Sequence, residues 1–457
     1  MAKALFLIEV DARVEQAFAR HTAALASPAE SLRQGESHAE RLAGLGVEVV
    51  PHYAPVPLFA EATIRGAAPH AGFAAFASPT PNDDTAALSV VVTVAADRTR
   101  VADLRERSGV RGVFENSRLY PYEFDLVGPS GGISCRPFRP PASVWTIRTQ
   151  LGVRPIWRDG YRGQGIAVGI IDEGIDGTTY PVAGGVTQPM GQAPGTAPIT
   201  SHGSMCAADV LVAAPSAVLY DYPFLGIPNS GGALAMFQSV LEQRRRNGTP
   251  HLTSNSYGFI SLPPRAQFPT HEAYDLNHPL HRKIREVIAS GAACFFAAGN
   301  CGSSCPSDKC MPSAIGPGRS ISGSNSLSEV IAVAAVNAQH EQLGYSAEGP
   351  GLFDPAKPDL AAYSHFLGNF GPGRPGGTLH SPFDNGTSAS SPLAAGVGAL
   401  LMGAFPALAP AALKAALTAS ALRPSGTDWN SALGFGILNA AAAYARLRSA
   451  PPAEQAA

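Results

Sequence analysis

Apolar runs alternate with amphipathic stretches along the last two thirds of the chain. The short, continuous apolar runs predict buried strands, and the longer periodic stretches between them predict helices. The predicted strands are GIAVGIID (165–172), AVLYDYPF, HLTSNSYGF, ACFFAAGN and VIAVAAVN. The predicted helices are SHGSMCAADVLVAA, ALAMFQSVLEQRRR, HPLHRKIREVIASG and the segment 385–402. This alternation predicts an α/β fold with a mostly parallel sheet and helices on both faces.

A different order of elements precedes this region. The predicted strands lie at 3–10, 46–56, 89–96 and 110–116, the predicted helices at 12–26 and 97–109, and a loop at 66–86. The order strand–helix–strand occurs twice in succession, which predicts a small α+β domain of ferredoxin-like type. The predicted organisation is therefore an α+β domain at 1–120, an irregular linker at 121–145, the α/β domain at 146–448 and a flexible tail at 449–457.

Charge and hydropathy narrow the classes of partner. The chain carries 33 Lys and Arg against 35 Asp and Glu, a net charge of −2, whereas a nucleic-acid binder normally shows a basic excess. We therefore expect no nucleic-acid binding. No apolar run approaches about eighteen residues, so we also expect no membrane span. The apolar run near the N-terminus is short and is followed at once by Glu9 and Asp11, which does not fit a signal peptide. A cytoplasmic location is the expectation, with secretion by another route left open.

Three of the six cysteines cluster in NCGSSCPSDKC, as Cys301, Cys305 and Cys310. Reduced thiols, one local disulfide and a partial metal site are all compatible with this cluster. The spacing matches no standard zinc pattern, and no histidine lies inside it.

The stretch NGTSASSPLAAGVGALLM places Ser388 at the start of an uncharged, glycine- and alanine-rich helix. A serine at a helix N-terminus is either an ordinary N-cap or, if a base can remove its proton, a nucleophile. The nucleophile elbow of α/β-hydrolases is G-x-S-x-G, and here Ser390 stands where the last glycine should be. The α/β-hydrolase interpretation, and with it a small-ester hydrolase, is therefore disfavoured.

Three more polar residues follow predicted strands or begin a predicted helix. Asp172 ends the strand GIAVGIID, His202 begins the next helix, and Asn300 ends the strand ACFFAAGN. A carboxylate can orient a histidine base, and an asparagine amide can donate to an oxyanion. Each of the three residues, taken alone, also fits a common turn or first-turn position.

The four motifs IIDEGID, SHGS, FFAAGN and NGTSASSP occur in this order on an alternating α/β chain. In this order the chain resembles the subtilisin-like serine peptidases (the subtilase, or peptidase S8, family), over roughly residues 145–445. The resemblance implies a subtilisin-like catalytic domain at 146–448. It also implies that Ser388 is the nucleophile, His202 the general base, Asp172 the residue that orients the base, and Asn300 an oxyanion donor.

The resemblance also assigns the substrate strand SNSYG, where Ser256, Tyr257 and Gly258 would pair with an extended peptide. The chain departs from the family pattern at Glu173, where Thr or Ser is usual, and at Ala389, where Met is usual. We expect Glu173 to lie near the cleft and to favour positively charged peptides. Cys206 lies four residues after His202, on the same face of the helix, where a buried core residue is expected.

The end of the first domain, SVVVTVAADRTRVADLRERSGVRGVFENSRLYP, resembles the end of a subtilase prodomain. That resemblance implies intramolecular inhibition by residues 1–145, with the stretch around 117–145 as the inhibitory tail. A fused accessory domain that is never removed is the alternative.

The expected function is therefore a serine endopeptidase that hydrolyses peptide or protein substrates through an acyl-enzyme. One alternative is a peptide-maturation protease or transpeptidase acting on a leader peptide. Another is a noncatalytic peptide-binding pseudoprotease, although no triad residue is missing. The chemistry requires no cofactor. Calcium is frequent in the family, but the chain has no dense loop of Asp and Asn of the EF-hand type.

Overall fold

The computed structural model describes residues 3–11, 45, 47–59, 89–121, 140–188, 190–224, 227–368, 384–424, 426 and 428–451. Its strands are β1 (Ala4–Asp11), β2 (Glu48–Val49), β3 (Val56–Leu58), β4 (Ser89–Ala96), β5 (Val110–Glu115), β6 (Tyr120–Pro121), β7 (Ala142–Ser143), β8 (Ala167–Asp172), β9 (Val182–Gly185), β10 (Val218–Pro223), β11 (Leu252–Asn255), β12 (Tyr257–Gly258), β13 (Ala293–Ala297), β14 (Ile331–Val336), β15 (Leu360–Tyr363) and β16 (Phe366–Leu367). Its helices are α1 (Val101–Arg105), α2 (Val144–Leu151), α3 (Arg154–Arg158), α4 (His202–Ala213), α5 (Ser230–Asn247), α6 (Pro279–Ala289), α7 (Thr387–Ala404), α8 (Pro410–Ala419) and α9 (Ala440–Ser449).

The chain forms two compact units, and both are discontinuous in sequence. The first unit contains residues 1–118, 226–248 and 264–290. The second unit contains residues 119–225, 249–263 and 291–457. Helices α5 and α6 therefore belong to the first unit, together with the N-terminal strands.

The second unit is built on a parallel sheet in the order β15-β14-β13-β11-β8-β10-β9. Its central strands are buried along their whole length, as their continuous apolar sequences predict. Ser254 of β11 pairs with Ile170 of β8 on one side and with Phe295 of β13 on the other. This sheet confirms the predicted α/β class with mostly parallel strands.

Helix α7 is uncharged because it is buried along nearly its whole length. It packs against α4, and a Cβ atom at Gly396 would lie only 2.3 Å from the carbonyl oxygen of Val210. A glycine is therefore needed where the two helix backbones approach each other. The small residues after Ser388 thus serve helix packing.

The first unit contains an antiparallel sheet in the order β2-β4-β1-β5, with β3 also paired to β4. This sheet agrees with the small α+β domain predicted from the sequence. Within this unit the carboxylate of Glu9 in β1 is buried. It accepts hydrogen bonds from Ser89 of β4 and, at 2.6 Å, from Arg282 of α6.

Some sequence predictions differ from the structure or fall outside it. The predicted helix at 12–26 and the predicted loop at 66–86 lie outside the described residues. The predicted linker begins in β6 and contains β7. It ends inside α2, which begins at Val144 because Ser143 caps it. The single strand predicted at 251–259 is interrupted at Ser256. In the part of the chain that the structure describes, no helix combines the length and apolar character needed to span a membrane.

Candidate active site

Three neighbouring strands of the parallel sheet end in candidate residues. Asp172 is the last residue of β8, Ser256 directly follows β11, and Asn300 lies three residues after β13. Strand β11 pairs with both β8 and β13. Because the carboxyl ends of parallel strands meet at one edge of a sheet, the three residues lie along the same edge.

Asp172 and His202 form a buried hydrogen-bonded pair. Ser201 caps α4 by accepting the N–H of Ser204, so the helix begins with His202. The Nδ1 atom of His202 lies 2.7 Å from Oδ1 of Asp172. A carboxylate only accepts, so Nδ1 carries a proton, and in the neutral imidazole Nε2 keeps its lone pair. Nε2 is buried and makes no hydrogen bond to any residue in the described ranges. The imidazole is thus held in the tautomer that a general base needs.

Glu173 links the two members of this pair. Its N–H donates to Oδ1 of Asp172 at 2.8 Å, and its Oε2 accepts the N–H of His202 at 3.2 Å. The residue therefore contacts the carboxylate through its backbone and the start of α4 through its side chain.

Ser388 is the second residue of α7 and is fully buried. Pro392, four residues later, has no N–H, so it cannot make the usual helical hydrogen bond to the carbonyl of Ser388. The thiol of Cys206 takes this place, with Sγ 3.5 Å from that carbonyl oxygen. The same Sγ lies 3.7 Å from Oδ2 of Asp172 and 3.9 Å from Nδ1 of His202. Cys206 is buried as expected, and it joins the Asp172–His202 pair to the backbone of Ser388.

Asn300 is anchored to the residue before Ser388. Its Oδ1 accepts both the N–H and the hydroxyl of Thr387, each at 2.9 Å. The Thr387 hydroxyl oxygen in turn accepts the N–H of Gly299 at 3.1 Å. With Oδ1 used to cap α7, Nδ2 is the part of the amide that faces away from Thr387. An amide held in this orientation can donate to an oxyanion.

The predicted substrate strand is tied to the same edge by Asn325. Its Nδ2 donates to the carbonyl of Tyr257 in β12 at 2.9 Å and to the carbonyl of Ala297 in β13 at 2.7 Å. Strand β12 pairs in antiparallel fashion with β6, Tyr257 opposite Pro121 and Gly258 opposite Tyr120. The backbone of β12 thus accepts an added extended strand, which is how a peptide would bind it.

Comparison with known proteins agrees with this geometry. The sequence model of Peptidase S8, described as the subtilase family, matches residues 163–436, more than half of the chain. The chain belongs to the subtilase family. Membership supports a serine-type peptidase that acts on peptide or protein substrates.

The chain is also similar to individual proteins of known sequence or structure. Subtilisin DY of Bacillus licheniformis is 28% identical over 295 residues, which cover 62% of this subtilase and 92% of the relative. The structure of fervidolysin from Fervidobacterium pennivorans, a keratinolytic enzyme related to subtilisin, aligns with a TM-score of 0.59 at 15% identity. That alignment covers 97% of this chain but only 61% of fervidolysin, and it shows the fold alone. MycP1 from the ESX-1 type VII secretion system aligns at 19% identity with a TM-score of 0.48, over 72% of this chain and 91% of MycP1.

The cysteine cluster of this subtilase contains a local disulfide. Cys301 and Cys310 are bonded to each other, and Cys305 is also disulfide-bonded. The loop they close begins directly after Asn300, whose carbonyl accepts the N–H of Ser307 at 2.9 Å. Of the three states considered for this cluster (reduced thiols, a local disulfide or a partial metal site), the structure shows the local disulfide.

Asp172, His202 and Cys206 have ligand atoms within 4.8 Å of one another, close enough to share a metal ion. A metal there would have to replace the 2.7 Å hydrogen bond between the first two. The donor set contains a thiol and an imidazole, whereas calcium prefers oxygen ligands. This group of residues therefore does not suit calcium.

Burial and neighbouring charge shift the pKa of His202 in opposite directions. Burial lowers the pKa of His202, but the charge and hydrogen bonds of Asp172 and Cys206 together outweigh this effect and hold that pKa well above its ordinary value. Burial raises the pKa of the Cys206 thiol, so the thiol stays protonated near neutral pH.

The raised pKa of His202 predicts that peptidase activity increases toward alkaline pH. His202 must be neutral to accept a proton, and a raised pKa keeps it protonated to higher pH. We therefore expect kcat/KM to rise with pH, with a midpoint above about 6.5, the ordinary histidine value. The measurement is kcat/KM of a peptide substrate from pH 5 to 10. A profile that already reaches its plateau below that value would contradict the raised pKa.

The predicted site residues form two hydrogen-bonded groups in the structure. Asp172 and His202 are in direct contact, whereas Asn300 reaches the Ser388 segment through Thr387. Sequence reasoning missed the roles of Thr387 and Asn325. Thr387 lies inside the motif NGTSASSP, so its position next to Ser388 was visible in the sequence. Asn325 stands in a 3₁₀ turn within a stretch of serines and glycines, and no local sequence pattern distinguishes it there.

Proposed function

We propose that this subtilase is a serine endopeptidase that cleaves peptide bonds through an acyl-enzyme on Ser388. The observation that carries the proposal is the buried Asp172–His202 pair, whose Cys206 neighbour contacts the backbone of Ser388. The orientation of Asn300 by Thr387 supports the same role. A noncatalytic peptide binder would not need a base held in one tautomer.

In the proposed mechanism, the Ser388 hydroxyl attacks the scissile carbonyl carbon while its proton passes to Nε2 of His202. The Asp172 carboxylate stabilises the imidazolium that forms. The tetrahedral oxyanion accepts hydrogen bonds from Nδ2 of Asn300 and from the N–H of Ser388. His202 then gives its proton to the leaving amine as the C–N bond breaks. Water then attacks the acyl carbon while its proton passes to His202. The bond between that carbon and the Ser388 oxygen breaks, His202 returns the proton to this oxygen, and the acid is released. The chain supplies every group in this scheme, so we propose no cofactor for the chemistry.

The proposal is tested by labelling the purified chain with a fluorophosphonate probe, followed by peptide mapping. Label on Ser388 in the wild type, absent from Ser388→Ala and strongly reduced in His202→Ala, would support the nucleophile–base pair. No label on a folded wild type, before or after limited proteolysis of residues 121–145, would contradict it and favour a pseudoprotease.

We propose further that the segment at β6 inhibits the enzyme intramolecularly. The segment Tyr120–Pro121 pairs with Tyr257 and Gly258, the residues expected to bind a substrate backbone. Pro121 has no N–H, so the pair Tyr120–Gly258 is the one that can exchange both ladder hydrogen bonds. The proteolysis arm of the labelling experiment reports on this contact. Faster labelling after cleavage supports inhibition, and an unchanged rate contradicts it. Whether the whole of residues 1–145 acts as a prodomain stays a prediction, as does the cytoplasmic location.

We propose that Glu173 favours positively charged peptides. Its carboxylate lies at the start of α4, beside the base. The expected result is that Glu173→Thr lowers the preference for basic over acidic peptides by about tenfold, the effect of one charge pair near a partly exposed site. The measurement is kcat/KM for matched peptide series that differ only in charge. Equal preference in wild type and variant would remove the proposal.

A further inference from the structure

Gly386, the residue just before α7, is held on both sides by two buried hydroxyl groups. Its N–H donates to the hydroxyl of Tyr345 at 2.9 Å. Its carbonyl accepts the hydroxyl of Ser364 at 2.9 Å. The two hydroxyl oxygens lie 3.0 Å apart, and both side chains are fully buried. We call Gly386, Tyr345 and Ser364 the Gly386 ring.

Each proton of the Gly386 ring can be assigned. A carbonyl oxygen only accepts, so the single hydroxyl proton of Ser364 points at Gly386. The bond between the two hydroxyls is therefore donated by Tyr345. Burial raises the pKa of Tyr345, so its hydroxyl keeps this proton. The three hydrogen bonds run in one direction around a closed loop, in which each bond polarises the next.

The Gly386 ring acts on the backbone that leads directly to Ser388. The peptide group between Gly386 and Thr387 has its carbonyl bonded to Ser364 and its N–H bonded to Oδ1 of Asn300 at 2.9 Å. Gly386 has φ of +75°, in a region that glycine enters freely. Since the glycine has no Cβ to restrict this turn, its hydrogen bonds have to supply the restraint.

We propose that Tyr345 and Ser364 are positioning residues for the reaction, a role that rests on Ser388 being the nucleophile. They hold the turn before Ser388, and through the shared peptide group they also hold the Asn300 amide. Neither side chain belongs to the substrate strand, so their loss acts on the chemical step and leaves substrate binding nearly unchanged. The effect falls on kcat and spares KM.

The test compares two tyrosines. Tyr345→Phe removes one hydroxyl from the Gly386 ring and leaves the buried N–H of Gly386 without this acceptor. Tyr363→Phe is the matched control, because its hydroxyl lies 3.0 Å from Nε2 of His340, outside the ring. We expect Tyr345→Phe to lower kcat and the fluorophosphonate labelling rate by about tenfold to a hundredfold, with KM within about twofold. Tyr363→Phe should leave both rates within about twofold. The folded fraction of each protein is measured by circular dichroism.

Ser364→Ala provides a second route to the same conclusion, and it decides the question if Tyr345→Phe fails to fold. It should lower kcat in the same range, and the double variant should lose little more than the stronger single variant, because both break one ring. Wild-type rates in Tyr345→Phe, or in Ser364→Ala, would overturn the inference while leaving the peptidase intact. A folded wild type that stays unlabelled even after limited proteolysis of residues 121–145 would instead refute the proposed function itself.

Discussion

Ser388→Ala is expected to lower kcat for peptide hydrolysis by on the order of a million-fold, and His202→Ala by a similar factor. In the proposed mechanism the serine oxygen forms the covalent bond to substrate and the histidine removes its proton, so neither residue contributes much without the other. The buried 2.7 Å contact between His202 and Asp172 holds the base ready in the tautomer that this step requires. The measurement is single-turnover and steady-state hydrolysis of a peptide that the wild type cleaves.

The Ser388→Ala/His202→Ala double variant tests whether the two residues act as one unit. Its kcat should be close to that of either single variant, since the pathway they share is already lost. Losses that multiply in the double variant would show that the two residues act separately. A single variant that retains more than about a hundredth of wild-type kcat would remove that residue from the mechanism.

Asn300→Ala is expected to lower kcat by about a hundredfold to a thousandfold with little change in KM, the usual effect of losing one oxyanion donor. The reason is that, in the proposed mechanism, the Asn300 amide donates to the substrate oxygen only once negative charge develops on it. The alanine variant also removes the acceptor for the N–H and hydroxyl of Thr387, so it disturbs the start of α7 as well.

Asn300→Asp separates these two effects. The aspartate has nearly the same shape and keeps an oxygen for Thr387, but it replaces the amide donor with a second, negatively charged oxygen. We expect its kcat to fall at least as far as that of Asn300→Ala, because the new charge repels the oxyanion. A kcat near the wild-type value in Asn300→Asp would mean that Asn300 serves only to cap α7.

The fold class and the order of the catalytic motifs could be predicted from the sequence. Continuous apolar runs identify buried parallel strands, and strands β8, β10, β11, β13 and β14 lie where these runs occur. The predicted strand at 251–259 was less accurate, because its apolar pattern continues through Ser256. The hydrophobic pattern of a strand indicates only that its residues are buried. Residues on both sides of Ser256 are buried, although the chain leaves the parallel sheet there and pairs with β6.

The candidate site was predictable in residue type but not in contacts. Asp172, His202, Asn300 and Ser388 were recognisable because each occupies a motif at the end of a strand or the start of a helix. The contact of Cys206 with the carbonyl of Ser388 was not, because the two residues are 182 positions apart. The motif around Ser388 does contain Pro392, whose missing N–H leaves that carbonyl available.

By itself, then, the sequence determined the α/β class, the residues able to act as nucleophile, base and oxyanion donor, and their order along the chain. Only the tertiary structure decided that the amide of Asn300 is oriented by Thr387, that Asn325 ties β12 to β13, and that Tyr345 and Ser364 enclose Gly386. The physical reason is the distance along the chain over which each kind of interaction acts. Local sequence carries periodicity, capping and turn preferences over a few residues. These hydrogen bonds join atoms that meet only after the parallel sheet has brought the ends of distant strands to one edge.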